Sequence, residues 1–248
     1  MARGLGIRSR FLVAYLVLGA AVGTGIGVFI ILLQRPGPEP PRPWSSWKPP
    51  AAATVARTQQ IASHVGNAYR LSSGRPLNRI VIGAPNQAKN TVRAIGIQKT
   101  LQAKTLDDFE LYDQNRSVMY VLCGGGKSCK IEGKASTGRG AVVRREALEL
   151  ALYTLKYADA IDNVVVFVPP GPTETKLSNA LFFRRHDLAA QLDRPLQTTL
   201  PQARPPLPGR IDPAEKATVD TLTAEHLYRY LGLANANNFG QVVVLQPA

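Results

Sequence analysis

The stretch FLVAYLVLGAAVGTGIGVFIILL, Phe11 to Leu33, runs for twenty-three residues without a single charge. As a helix it is about 35 Å long, enough to cross a hydrocarbon layer of about 30 Å with some tilt. A secretory h-region is shorter, about 7–15 residues, and ends at a small-residue cleavage site. Here Ala20-Ala21-Val22 falls in the middle of the run, so the sequence reads as an uncleaved signal anchor whose partner is membrane lipid. The preceding tail, residues 1–10, carries Arg3, Arg8 and Arg10 and no acid, which favours an inside N-terminus. The expected arrangement is therefore a single pass in the cell membrane, with the remaining chain extracytoplasmic. Gly19, Gly23 and Gly27 share one face of such a helix and would let a second helix approach closely, in a homo-oligomer or beside another anchor.

Residues 34–53 follow as a spacer. Between Arg35 and Ala53 there are seven prolines in nineteen residues. Proline fixes φ and removes the backbone donor, so an extended stalk is expected. Trp44 lies eleven residues past Leu33, about 34 Å at the polyproline rise, and so should reach a folded domain.

Residues 54–248 read as one extracytoplasmic α+β domain, a mixed sheet packed by about three to four helices. The 45% hydrophobic content supports a core of that size. TVARTQQIASHVGNAYRL has helical apolar spacing, and Gly74 and Pro76 end it. LNRIVIGAP, TVRAIGIQ, DDFELYD and SVMYVLC read as strands. GRGAVVRREALELALYTLKYADAI is a long helix with a broad apolar stripe and an Arg145–Glu149 pair at i, i+4. NVVVFVPP is an apolar run of a kind buried on both sheet faces. NALFFRRHDLAAQL reads as strand then short helix, PQARPPLPGRIDP as loop, TVDTLTAEHLYRYLGL as a final helix and QVVVLQ as a last strand.

The stretch VMYVLCGGGKSCKIEG holds both cysteines, Cys123 and Cys129. A phosphate-binding loop would need glycine at position 121, where Val121 stands. A zinc site would need two more ligands, and His64, His186 and His226 are singly placed. A redox pair would need two intervening residues at a helix start. The reading that remains is a disulfide closing a glycine-rich turn, with SVMYVLC and CKIEG paired as a hairpin. So short a loop contributes about 2.4 kcal/mol in the chain-entropy model, enough to fix one turn. The bond also implies an oxidising compartment. The sequence carries no cofactor signature.

The formal charge of +13 comes from 30 basic and 17 acidic residues. Such a balance favours anionic surroundings. The basic residues are scattered and aromatics are only 7%, which argues against a nucleic-acid groove. Lys134 and Arg139 flank a helix start, GKASTGRGAVV, and form a candidate anion site beside a Ser136 or Thr137 cap. An enzymatic alternative would gather Asp107, Asp108 and His186 from distant positions. No serine-nucleophile motif is present, and a binding module at the cell envelope, for an envelope protein or an anionic polymer, is the expected function; an accessory subunit of a membrane complex is a further alternative.

The short basic tail, the single apolar run, the WSSWKP stalk and one α+β domain together give a layout that resembles single-pass membrane proteins of high-GC actinobacteria. That resemblance implies the same anchoring and supplies no activity, cofactor or site residue.

Overall fold

The computed structural model describes residues 5–34, 43–85, 91–103, 105–236 and 240–248. It divides into two units, residues 1–42 and Pro43–Ala248.

In the first unit a helix, α1, runs from Leu5 to Gln34. Its side chains are described at 12–25 and at Phe29, and Leu12, Tyr15, Leu16, Leu18 and Phe29 are all exposed. Among the described residues no helix is long and apolar enough to cross a membrane. Gly19 and Gly23 have open space around them, and Gly27 lies outside the described side chains.

The second unit carries α2 (Thr54–Ala68), α3 (Thr137–Tyr157), α4 (Ala189–Leu192) and α5 (Pro213–Ala224). Its eight strands are β1 (Arg79–Ile82), β2 (Val92–Gln98), β3 (Phe109–Asp113), β4 (Ser117–Cys123), β5 (Asn163–Phe167), β6 (Asn179–Arg184), β7 (Leu227–Ala236) and β8 (Gly240–Pro247). They form one mixed sheet in the order β1-β4-β5-β6-β7-β8-β2-β3. The β4–β5 and β8–β2 pairs are parallel and the others antiparallel. The α+β class expected from the sequence is the class observed.

The sheet folds over on itself. Four strand spacings separate β6 from β3, about 19 Å in a flat sheet. Yet the rings of Tyr112 on β3 and Phe182 on β6 lie 4.9 Å apart. Ile95 and Ile97 of β2 and Val243 and Leu245 of β8 share a core with Val165, Phe167 and Phe182. A register shift between Tyr230 and Gly232 marks a bulge in β7, where the chain can bend. Gly232 has φ +123°, a conformation open to glycine. The opposite face of β4, β5 and β6 packs Tyr120, Val164, Val166 and Phe183 against α2, α3 and α5. β4 and β5 are therefore buried on both faces, which explains their unbroken apolar sequences.

Three expectations change. SVMYVLC and CKIEG do not form a hairpin. β4 already has β1 on one side and β5 on the other, so neither edge is free. The chain instead leaves β4 through a single 3₁₀ turn, Lys127–Cys129, and Ile131 donates to the carbonyl of Pro170, past β5. The disulfide is present, with Cα atoms 4.1 Å apart. The final helix also stops earlier and starts sooner. Asp212 caps it, accepting from the N–H groups of Ala214 and Glu215, with Pro213 in the first turn. HLYRYLGL then leaves the helix, and all of it beyond His226 is strand β7, paired along its length with β8. Finally, residues 43–53, read as the end of a stalk, lie within the compact unit. Trp44 is 9% exposed, donates from Nε1 to the Gln191 carbonyl at 3.1 Å, and meets Tyr153 edge-on at 5.2 Å.

Candidate functional site

A cavity of about 790 Å³ opens between α2, α3, the 43–53 segment and the proline-rich loop that follows α4. Ligand-binding clefts commonly span about 300–1,000 Å³. Two of its walls are proline-bearing segments, stiff because each proline fixes its own φ. Its floor is a polar row on α3: Arg145, Glu149 and Tyr153 line the cavity from one helix face, four residues apart.

Arg145 is 2% exposed and every nitrogen of its guanidinium is hydrogen-bonded. Nε bonds Glu215, Nη1 reaches Glu149 Oε2 at 2.9 Å and Tyr69 Oη, and Nη2 donates to the Gln202 carbonyl at 2.9 Å. Tyr69 Oη donates to Glu149 Oε2 at 2.6 Å, and the Gln202 N–H donates to Glu215 Oε2 at 2.9 Å. One arginine thus ties α2, α3, α5 and the 200–205 loop together. Burial alone would lower its pKa, but Tyr69, Glu149 and Glu215 hold it above its ordinary value. Burial raises the pKa of Glu149, although Arg145 and Tyr69 oppose that shift. Its second oxygen, Oε1, makes no hydrogen bond among the described residues. Glu146, three residues before Glu149 on α3, is fully buried and pushed up to about 8 by that burial, against the single hydrogen bond from Asn78.

The mouth is aromatic and basic. The half-buried Trp47 indole lies parallel to the His64 imidazole, with centroids 3.8 Å apart. Tyr153 meets Trp47 edge-on at 5.4 Å. Burial lowers the His64 pKa and raises that of Tyr153 to about 12. Arg70 and Arg204 line the same cavity and have no carboxylate or hydrogen-bond partner among the described residues.

The residues singled out from the sequence lie elsewhere. Asp107 and Asp108 occupy a 3₁₀ turn before β3, where Asp108 caps the turn by accepting from Thr105. His186 follows β6 and contacts Asp187, in a depression of about 650 Å³ whose described lining includes neither aspartate. Ser136 caps α3, accepting from the Arg139 N–H. Arg139 is 6% exposed, and its Nη1 donates to the Glu132 carbonyl, while Lys134 is exposed. Neither lines the 790 Å³ cavity. At the same helix start a Cβ on Gly138 would fall 2.8 Å from Gly209, so the 201–210 loop can close there only over glycine. Among the described residues no group of three or more His, Cys, Asp or Glu side chains could hold a metal ion. The sequence shows the Arg145–Glu149 pair at i, i+4, and the structure adds its burial. The available signal was its continuation to Tyr153 and Tyr157, a four-residue polar period inside an apolar helix.

Comparison with models of known families, with curated proteins and with solved structures finds no match for this chain.

Proposed function

We propose that the chain is a single-pass protein of the cell membrane: α1 sits in lipid, the N-terminus lies inside, and the disulfide-bearing domain faces outward as a binding module. The uncharged run Phe11–Leu33 supports anchoring, and a cysteine pair closed as a disulfide fits an oxidising exterior. The observation that carries the binding reading is the cavity itself, with an aromatic mouth and two arginines that have no partner among the described residues. Its carboxylates answer to Arg145 in a structural cluster, an arrangement suited to shaping a pocket. The glycine face of α1, Gly19, Gly23 and Gly27, is where a second anchor would pack, and leucine at all three positions should abolish co-purification of differently tagged copies from membranes.

The test of the compartment is the thiol state in cells. Alkylation of whole cells without reductant, followed by mass spectrometry, should leave Cys123 and Cys129 unmodified and linked. Two alkylated cysteines would contradict an exported domain.

A further inference from the structure

The cavity combines three kinds of group that rarely converge by chance on a purely structural crevice. The first is an aromatic face, the half-buried Trp47 indole, backed by His64 and held edge-on by the buried Tyr153. The second is a set of planar polar side chains, Gln197, Gln202 and Glu149, able to bond neighbouring hydroxyls. The third is the pair Arg70 and Arg204, whose guanidinium groups have no counter-ion within the described residues. Arginine presents a rigid fork of donors that matches carboxylate and phosphate oxygens.

Building on the reading of the domain as an outward-facing binding module, we infer that this cavity binds an acidic saccharide: a pyranose whose apolar face lies on the Trp47 indole and whose carboxylate or phosphate meets Arg70 and Arg204. The hydroxyls fall to Glu149 Oε1 and the two glutamines. Arg145 does not touch this ligand. Each of its nitrogens already donates, to Glu149, Glu215, Tyr69 or Gln202, and it positions Glu149 and the 200–205 wall. A neutral sugar leaves both arginines unmatched, and a bare anion leaves the aromatic wall unused.

The chain has only two tryptophans, Trp44 in the core and Trp47 at the mouth, so its own emission reports on the site. The full chain in detergent micelles is titrated with trigalacturonate, glucose 1-phosphate, maltotriose and inorganic phosphate, with calorimetry in parallel. At least one of the two acidic sugars should give a saturable change, at least tenfold tighter than maltotriose or phosphate. The R70Q/R204Q double variant should weaken it at least tenfold with an unchanged thermal midpoint, since neither arginine holds a partner among the described residues. K134Q, outside the cavity, should bind as wild type does. The inference is overturned if neither acidic sugar binds, if phosphate or maltotriose binds as tightly, or if the double variant keeps its affinity. Such a failure leaves the cysteine test of the compartment untouched, whereas free thiols would remove the envelope reading whatever the cavity binds.

Discussion

Two charged clusters of the domain set carboxyl groups beside an arginine under opposite electrostatic rules. On α3, Glu146 is sealed beneath the cavity and Glu149 lies at its floor, and burial pushes both carboxyls up. At the end of β6, Asp187 is partly buried too, yet its pKa is lowered: burial would raise it, but Arg184 donates from its backbone N, Nε and Nη2, all at 3.0 Å. His186 and His226 face the same carboxylate from 3.0 and 3.8 Å. The difference lies in how many donors reach each carboxyl group. Glu146 has one neutral donor, Asn78, and Oε1 is left without a partner. Asp187 has a charged fork and a backbone amide, which more than offset the loss of water. The first region resists charge and gives the cavity a stiff floor, whereas the second keeps its charge near solvent.

The largest effect should come from removing the one cation that the first region depends on. Arg145→Met leaves Glu149 and Glu215 buried without their partner and should destabilise the domain by about 3–5 kcal/mol in urea or guanidinium unfolding. An effect near zero would mean that the cluster is not closed in solution. Next, Glu146→Gln separates burial from bonding. The folded pKa of about 8 lies above the ordinary carboxylate value, so the neutral form contributes stability at low pH that is lost as pH rises through about 8. The variant should match wild type near pH 4 and exceed it by a few kcal/mol near pH 9, in unfolding curves taken across that range. Asp187→Asn should show the reverse sign at a smaller size. Its lowered pKa contributes stability above the ordinary carboxylate range that is lost as pH falls. The variant should cost about 1 kcal/mol at pH 7 and nothing once wild-type Asp187 is protonated. A Glu146 and an Asp187 variant with the same pH trend would break the comparison.

Much of the fold was legible in the sequence because its strands are either uniformly apolar or clearly bounded. NVVVF and SVMYVLC are buried on both faces, and the sequence shows it. β7 was not legible, since LYRYLGLANA places Leu227, Tyr230, Leu231 and Ala234 at spacings that a helix also uses, and its bulge at Gly232 breaks strict alternation. The hairpin around the cysteines failed for a topological reason: local spacing cannot reveal that β1 and β5 already occupy both edges of β4. The glycines of that turn serve close packing: a Cβ on Gly124 would lie 2.2 Å from the Lys130 carbonyl oxygen, whereas the left-handed backbone of the turn falls on Ser128 and Cys129. The cavity was the least legible feature. Trp47, His64, Glu149 and Arg204 are contributed by four separate segments, and only the four-residue rhythm of Arg145, Glu149 and Tyr153 left a trace in one dimension.

Every lysine of this chain lies beyond Leu33, from Lys48 onward, so amine labelling reads the domain side of the anchor and little else. Intact cells treated with a membrane-impermeant amine reagent should yield label on exposed lysines such as Lys134, at a level that lysis does not raise. Label that appears only after lysis would place the domain inside the cell and contradict the account.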